Sequence, residues 1–285
     1  MNSDLFTQIR QFYDQSTPVW EAVWGEHLHH GFYGRAGTEK SGDRKQAQIR
    51  LIEEFLDWGQ VKQIQTFLDA GCGVGGSTCY LAQKYGAQGW GVTLSPVQQE
   101  RAARRAEALG LAEQTHFQVA DAQAVPVADN TFDLVWSLES GEHMPDKRQF
   151  LAECWRVLRP GGKLLLATWC HRPTNSWAGL LTPAENELLA QIYEVYCLPY
   201  VISLPEYAEI ATDVGFKQLH TADWSTAVAP FWDVVMQSAL GGAAFGQLLQ
   251  AGWGTIRGAL AIGLMSRGYD QGLIRFGLLQ GIKPT

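Results

Sequence analysis

The sequence of 285 residues predicts an α/β fold in which a mostly parallel sheet lies between layers of helices. Two observations support this prediction. From residue 64 onward, short apolar runs of strand length alternate with amphipathic runs of helix length, a pattern typical of parallel sheets. The first strand is followed at once by a loop containing Gly71, Gly73, Gly75 and Gly76, and such a loop lets the backbone approach a ligand.

The order of elements follows from the spacing of apolar residues. Residues 4–15 and 44–58 predict amphipathic helices. We expect parallel strands near 64–70, 88–93, 114–119, 132–137 and 163–169, with helices near 76–85, 96–109 and 146–157. The Arg-Pro-Gly-Gly turn at 159–162 is expected to end the last of these helices. Beyond 170 we expect helical segments at 171–200, 204–214 and 228–268, and strands at 216–222 and 274–282.

Composition and charge exclude some classes of function. With 46% hydrophobic and 18% charged residues, the composition is that of an ordinary globular protein. The net charge of −7 and the absence of a Lys/Arg run argue against nucleic acid as a partner. The five cysteines form no Cys-x-x-Cys pair, which favours a reducing compartment over a disulfide framework.

The termini and the longest charge-free stretch bear on localisation. The first residues, Met-Asn-Ser-Asp-Leu-Phe, lack the basic and apolar regions of a signal peptide. The charge-free stretch between Asp233 and Arg257 contains five glycines and three glutamines, so it is a poor transmembrane helix. We therefore expect a cytoplasmic protein, or one peripherally associated with internal membranes.

The glycine loop suggests a nucleotide-like ligand. Gly71, Gly73 and Gly76 satisfy the Gly-x-Gly-x-x-Gly pattern of dinucleotide sites, which alone is a weak signal. A dinucleotide site also needs an acidic residue at the end of the second strand for the ribose. Here that strand ends in Thr93-Leu94-Ser95, without a carboxylate. Asp121, after the third strand, is placed to accept a hydrogen bond from an adenine amino group, although it is also a possible turn cap.

Three features resemble the motif series of class I S-adenosylmethionine-dependent methyltransferases. They are Asp121-Ala122 after the third strand, the Phe132–Ser137 strand, and the Pro-Gly-Gly turn before the fifth strand. The resemblance implies a three-layer Rossmann-like fold with a seven-stranded, mostly parallel sheet whose last strand is antiparallel, and S-adenosyl-L-methionine as cofactor. It implies cofactor contacts from Asp69, Gly71, Cys72, Gly73, Thr93, Leu94, Gln98, Asp121, Ala122, Ser137 and Leu138.

The segment Thr93-Leu94-Ser95-Pro96-Val97-Gln98 resembles the Thr-Leu-Ser-x-x-Gln of cyclopropane-fatty-acid synthases. In that group the Thr/Leu backbone and the Gln side chain bind the ribose, which implies that Gln98 binds the ribose hydroxyls here. The alternative is that Gln98 is an exposed residue in the first turn of a helix.

Five further segments extend the resemblance to nearly the whole chain. They lie at 12–16, 24–33, 136–146, 168–172 and 222–232. Together they resemble the γ-tocopherol methyltransferase family, in its cyanobacterial form rather than its plastid form because no transit peptide is apparent. The resemblance implies methylation of a chromanol ring carbon, γ- to α-tocopherol and δ- to β-tocopherol, in vitamin E biosynthesis. An N- or C-methyltransferase acting on another hydrophobic aromatic, such as an alkaloid or prenylquinol, stays open, as does a regulatory module that binds the cofactor without turnover.

Methylation of a phenol ring suggests a general base. An aromatic carbon is a poor nucleophile until the neighbouring phenol, with a pKa of ~10, loses its proton. Glu142 and His143 follow the C-terminal end of the fourth strand, where the class places the methyl acceptor, and either is a candidate base. The alternative is that His143 is a core or capping histidine and Glu142 a local cap.

We expect three regions, with a helical lid at 1–62, the cofactor-binding core at 63–170, and a helical cap with completing strands at 171–285. His27, His29 and His30 lack the spacing and the acidic or Cys neighbours of a metal site. Instead, the lid is expected to bring His29, His30 or Tyr33 towards the cofactor or the phenol, with ordinary packing as the alternative.

The cap is rich in apolar residues. The segments 176–203 and 228–265, which include Trp177 and Leu180, are expected to line a channel for a hydrophobic phenol or chromanol that opens towards a membrane surface. The alternative is that these residues close a small lobe over the sheet.

Overall fold

The structure, a computed structural model, describes residues 2–39, 43–240 and 253–285. In this part of the chain seven strands form one sheet. They are β1 (Thr66–Ala70), β2 (Gln88–Thr93), β3 (Thr115–Val119), β4 (Phe132–Leu138), β5 (Leu158–His171), β6 (Lys217–Asp223) and β7 (Ile274–Ile282). Their order is β3-β2-β1-β4-β5-β7-β6, with β1 to β5 parallel and β7 antiparallel to both neighbours. The predicted sheet is confirmed.

Helices cover both faces of this sheet. In chain order they are α1 (Asn2–Trp24), α2 (Arg44–Trp58), α3 (Gly76–Tyr85), α4 (Pro96–Ala108), α5 (Lys147–Val157), α6 (Pro183–Tyr196), α7 (Leu204–Val214), α8 (Ser225–Val228), α9 (Pro230–Leu240) and α10 (Trp253–Asp270). Successive strand residues point to opposite faces. In β4, accordingly, Leu134 and Trp136 pack with α2 in one apolar cluster, while Val135 packs with α5 and α7 in another.

Side chains at the helix starts explain why the core helices begin near the predicted residues. The Ser95 hydroxyl accepts a hydrogen bond from the Gln98 amide at 3.0 Å and starts α4, with Pro96 in the first turn. Asp146 caps α5 in the same way, through the Gln149 amide at 2.9 Å. Such caps satisfy backbone donors that have no partner inside the helix.

Several boundaries differ from the prediction, and the segment expected to be helical at 171–200 is helical only at Pro183–Tyr196. Helix α1 does not end near residue 15 but continues through Pro18 to Trp24. Proline removes one helical hydrogen bond, but Trp24 is buried against Phe231 and Trp232, so tertiary packing extends the helix beyond its local preference.

The Arg-Pro-Gly-Gly turn was expected to end α5, and that expectation is wrong. The helix ends at Val157, and Leu158 already pairs with Phe132 of β4. The next pair joins Leu134 to Lys163, so the turn is an irregularity inside the β4–β5 pairing. Gly161 adopts φ +80°, which a residue with a side chain rarely does.

The helical cap is described on either side of residues 241–252. Helices α9 and α10 agree with the expected helical character of 228–268, and residues 241–252 lie outside the described part of the chain. Among the described helices, none combines the length and apolar character needed to cross a membrane.

The conformation of the glycine loop leads to a testable prediction about the free energy of unfolding. Gly71 has φ +96°, and a Cβ added there would lie 2.2 Å from the Ser140 Cβ. We expect Gly71→Ala to lower the free energy of unfolding by about 3 kcal/mol or more, because backbone strain adds to a steric clash. Gly110→Ala is the matched control, since Gly110 has φ +71° with no atom within 4 Å. Urea unfolding of both variants tests this, and equal losses would show that the clash has no effect.

Candidate active site

A cavity lies at the C-terminal ends of β1 to β4, the edge at which open α/β sheets bind their ligands. Ten of the eleven residues predicted to contact the cofactor line it. They are Asp69, Gly71, Cys72, Gly73, Thr93, Leu94, Gln98, Asp121, Ala122 and Leu138. Ser137 does not; it is buried behind the wall, with its hydroxyl 2.7 Å from that of Ser140. We refer to this space as the cofactor cavity.

The glycine loop is held from both sides. The amides of Gly71 and Cys72 donate to the Val92 carbonyl, at 3.0 and 2.9 Å, and tie the loop to β2. On the other side, a Cβ at Gly76 would lie 2.5 Å from the Glu26 carbonyl oxygen and 2.7 Å from the His27 Nδ1. Glycine at 76 therefore lets the segment after α1 lie directly over the loop.

The polar residues that were predicted beyond the loop also lie on the cavity wall. The Thr93 hydroxyl donates to the Gln98 Oε1 at 2.7 Å and fixes this side chain on the cavity wall. Gln98 is buried, so it is not the exposed helix residue of the alternative interpretation. Asp121 lines the cavity and also accepts the Gln123 amide at 2.8 Å, so it caps its own turn as well.

The carboxyl groups of the cofactor cavity suit a cationic ligand. Asp69 is buried and accepts a hydrogen bond from the Thr78 hydroxyl at 2.6 Å, and burial raises the pKa of Asp69 to about 7. Positive charge nearby would restore its ionised form. S-adenosylmethionine carries a sulfonium and an ammonium group, so its charge fits this wall. Gln98 would hold its ribose hydroxyls and Asp121 its adenine amino group.

A second, smaller cavity adjoins the first, and we refer to it as the acceptor cavity. Its wall is mostly aromatic. It is lined by Phe12, Tyr13, Trp20, Trp24, Leu28, Glu139, Glu142, His143, Trp169 and Tyr196. Four of these residues, Tyr13, Leu28, Glu139 and His143, also line the cofactor cavity. They form the neck between the two cavities.

The two candidate bases lie on a short 3-10 turn, Gly141–His143, directly after β4. Buried Lys147 holds this turn, because its ammonium donates to the carbonyl oxygens of Gly141, Glu142 and Met144, at 3.0, 2.9 and 2.7 Å. Burial also lowers the pKa of Lys147 to about 7. The first residues of α5 therefore set the position of the turn.

Glu142 and His143 differ in environment. Glu142 lines only the acceptor cavity and accepts a hydrogen bond from the Thr168 hydroxyl at 2.7 Å. Burial, reinforced by the charge of Glu139, raises the pKa of Glu142 to about 8. His143 lies at the neck, and burial followed by the charge of Lys147 lowers its pKa to about 3. The imidazole is therefore neutral, whereas the carboxyl group titrates near the pH of the cell.

Sequence reasoning missed Glu139. Its carboxylate accepts the His30 amide at 2.6 Å, the His30 Nδ1–H at 2.7 Å and the Trp169 indole N–H at 3.1 Å. Burial acts to raise the pKa of Glu139, but the charge of His30 and these hydrogen bonds outweigh it, so the pKa lies below the usual 4.5. A signal was present, since Glu139 is the first carboxylate after β4, three residues before Glu142.

Some histidines of the histidine-rich segment line the cofactor cavity, and another is packed away from both cavities. His27 and His29 line the cofactor cavity, and the His29 Nδ1–H donates to the His30 carbonyl at 2.8 Å. His30 lines neither cavity and pairs with Glu139. Tyr33 is buried away from both cavities, and its amide donates to the Ala227 carbonyl at 2.8 Å. Within the described residues, no group of three His, Cys, Asp or Glu is arranged to hold a metal ion.

The cap contributes less to the acceptor cavity than expected. Trp177 and Leu180 were predicted to line a channel, but they are 100% and 82% exposed, so that prediction is wrong. Phe231 and Trp232 are fully buried in the core and line neither cavity. The lining aromatics come mostly from α1 instead, because α1 extends to Trp24 and lies across the neck.

Three relatives share this arrangement of sequence along nearly the whole chain. The protein named probable tocopherol O-methyltransferase, chloroplastic, of Oryza sativa subsp. japonica is 48% identical, over 97% of this chain and 78% of the relative. Tocopherol O-methyltransferase, chloroplastic, of Arabidopsis thaliana is 44% identical, over 97% and 82%. Norajmaline N-methyltransferase of Rauvolfia serpentina is 35% identical, over 94% of both chains. The tocopherol relatives are plant proteins, so the expected cyanobacterial type stays a prediction.

The fold has solved counterparts. The structure of geranyl diphosphate C-methyltransferase from Streptomyces coelicolor A3(2), in complex with Mg²⁺, geranyl diphosphate and S-adenosyl-L-homocysteine, superposes with a TM-score of 0.76. The match covers 98% of this chain and 97% of that chain at 20% identity. The family described as "Methyltransferase domain" matches residues 68–166, which contain the glycine loop, Gln98, Asp121 and the Glu142–His143 turn. This chain belongs to the tocopherol methyltransferase family, and it is an enzyme that uses S-adenosylmethionine to methylate its acceptor.

Proposed function

We propose that this enzyme methylates a ring carbon of a chromanol, converting γ- to α-tocopherol and δ- to β-tocopherol. The observation that carries the proposal is the acceptor cavity, which has aromatic walls, a titratable carboxyl group and a neck of residues shared with the cofactor cavity. Aromatic walls suit a flat chromanol ring. The 44% and 48% identity to proteins named for tocopherol supports this class of acceptor over the alkaloid class.

Glu142 is the proposed base. When bound, S-adenosylmethionine supplies an electrophilic methyl group and leaves as S-adenosylhomocysteine. The chain must take the phenolic proton, so that the ring carbon becomes nucleophilic, and must place that carbon at the neck. With a pKa of about 8, the Glu142 carboxylate is a far better match to a phenol of pKa ~10 than His143 at about 3. Overall, a ring C–H becomes a C–CH₃, and one proton is released.

Glu139 has a different proposed role. Its carboxylate is ionised, lies at the neck and is held by three donors. A fixed negative charge there favours a cationic ligand in the cofactor cavity and raises the pKa of Glu142, which makes the Glu142 carboxylate a stronger base. Glu139 therefore acts through electrostatics rather than as the proton acceptor.

A product assay tests the acceptor. Incubation with methyl-labelled S-adenosylmethionine and γ-tocopherol is expected to give labelled α-tocopherol with its phenol intact. Because the tocopherol relatives are named O-methyltransferases, product analysis must separate a ring methyl from a methyl ether, for example by the oxidisability of the free phenol. A parallel reaction with norajmaline tests the alternative that the enzyme methylates a nitrogen atom of an alkaloid. A methyl ether, or methylation of norajmaline alone, would contradict the proposal.

The base makes a pH-dependent prediction. We expect kcat/KM to rise with pH through about 8, since only the Glu142 carboxylate accepts a proton. Glu142→Gln should lower turnover at least ~100-fold. Thr168→Val removes a hydrogen bond that lowers the pKa of Glu142, so it should move the midpoint of the profile upward without abolishing turnover. An unchanged midpoint in Thr168→Val would assign the titration to another group.

A measurement of stability shows whether Glu142→Gln loses activity because the base is absent or because the protein unfolds. The folded-state pKa of Glu142 lies above its usual 4.5, so the unfolded chain ionises first as pH rises. The wild-type carboxyl group therefore costs stability as pH rises from 4.5 through about 8. Glu142→Gln avoids this cost, and urea unfolding at pH 9 should find it no less stable than the wild type.

We further propose a peripheral membrane contact through the loop at 173–182. Arg172 holds this loop rigidly, donating to the carbonyl oxygens of Gly179 and Leu180 at 2.8 and 3.0 Å and to both oxygens of Glu185. The loop presents exposed Trp177 and Leu180. It carries no charge on a chain of net charge −7, so it fits a neutral lipid surface better than an anionic one.

Vesicle binding tests this contact without the reaction. Combined replacement of Trp177 and Leu180 by Ser is expected to weaken binding to phosphatidylcholine vesicles about tenfold or more, because the loop loses its apolar area. Leu109→Ser, at a position 53% exposed after α4, is the control and should bind as the wild type does. Cosedimentation measures both variants. Equal binding by all three proteins, or binding to anionic vesicles alone, would contradict the proposed contact.

A further inference from the structure

A hydrogen bond joins the N-terminal helix to the turn that carries the candidate bases. The Tyr13 hydroxyl on α1 lies 2.5 Å from the His143 Nε2, although the two residues are 130 positions apart in the chain. Their rings meet edge to face, with centroids 5.2 Å apart. Both side chains line both cavities, so this contact lies at the neck.

Burial makes this a hydrogen bond between two neutral groups. It keeps the His143 imidazole neutral, and burial together with the charge of Glu142 raises the pKa of Tyr13 well above 10. The tautomer of His143 decides which of the two groups donates. In either tautomer the His143 Nε2 is engaged by Tyr13 while the bond is in place.

Helix α1 covers the cofactor cavity. Phe6, Ile9 and Tyr13 line that cavity, and Trp20 and Trp24 line the acceptor cavity. At 100° per residue these five side chains fall on one stripe of the helix. Next to the stripe, the Asp14 carboxylate accepts a hydrogen bond from the Ser95 hydroxyl at 2.5 Å, at the start of α4. Helix α1 therefore forms one wall of the cofactor cavity and is joined to the core next to it.

We infer that Tyr13 is a positioning residue, whose hydrogen bond to His143 latches α1 over the bound cofactor and fixes the imidazole at the neck. The latch closes when the cofactor is in place and opens to release S-adenosylhomocysteine. In this role His143 receives α1 and leaves the proton of the acceptor to Glu142. The inference depends on the cofactor alone, so it holds whichever phenol or amine is methylated.

Tyr13→Phe tests the latch, since it removes one oxygen and keeps the ring. We expect S-adenosylhomocysteine to dissociate about tenfold faster, as the loss of one buried hydrogen bond predicts, with tryptophan fluorescence in a stopped-flow instrument as the readout. Hydrogen exchange should show lower protection of α1 amides in the S-adenosylhomocysteine complex. The single-turnover rate at saturating cofactor and acceptor should change by a smaller factor than the rate of dissociation does.

Tyr269→Phe is the matched control, because the Tyr269 hydroxyl is also buried but has no hydrogen-bond partner among the described residues. It should leave dissociation and exchange unchanged. His143→Gln keeps an acceptor and should restore part of the slow dissociation that His143→Ala loses, while Tyr13→Phe should add little to His143→Ala. Wild-type dissociation and protection in Tyr13→Phe would overturn the latch. A ~100-fold loss of single-turnover rate with unchanged dissociation would also overturn it, in favour of a proton relay.

Discussion

The buried hydrogen-bonded pair of Glu139 and His30 is the interaction on which the rest of the site depends. Glu139 lies just beyond β4 in a left-handed conformation, at φ +54°, and its carboxylate is buried. A charge in that position is tolerated only when its hydrogen bonds are satisfied, and removing a partner from such a pair typically costs ~3–5 kcal/mol. His30 supplies two of the three donors. The pair therefore fixes the segment after α1 against the sheet, and the His30 carbonyl in turn orients the His29 ring.

Because Glu139 is held in its ionised form, its charge raises the pKa of Glu142. Glu139 and Glu142 lie three residues apart, in the same buried environment, yet their pKa values move in opposite directions. The difference lies in their partners, because Glu139 faces His30 whereas Glu142 has the Thr168 hydroxyl and the nearby negative charge of Glu139. Two carboxyl groups separated in this way can serve two purposes, one as a permanent charge and one as a proton acceptor.

Ten of the eleven residues predicted to contact the cofactor lie together at one cavity, whereas Trp177 and Leu180, predicted for the acceptor channel, do not line one, and the difference has a physical reason. The glycine loop, Gln98 and Asp121 follow strands directly, so the topology of a parallel sheet brings them to one edge. The acceptor cavity depends on α1 continuing past Pro18 to Trp24, which local propensity disfavours and burial against Trp232 enforces. The prediction for Trp177 failed for a different reason. Apolar character alone does not distinguish a buried side chain from an exposed one, and Trp177 is exposed.

Because α1 lines both cavities, substitutions in this one helix can change the specificity for the methyl acceptor. The stripe from Phe6 to Trp24 spans 18 residues, or ~27 Å, and its first half lines the cofactor cavity while its second half lines the acceptor cavity. Substitutions at Trp20 or Trp24 reshape only the acceptor side and leave the glycine loop, Gln98 and Asp121 untouched. A core that holds one methyl donor can therefore accept different aromatic acceptors through changes in α1. The neck must be retained in such changes, because Tyr13, Glu139 and His143 line both cavities. These residues therefore keep the two cavities adjacent whichever acceptor binds.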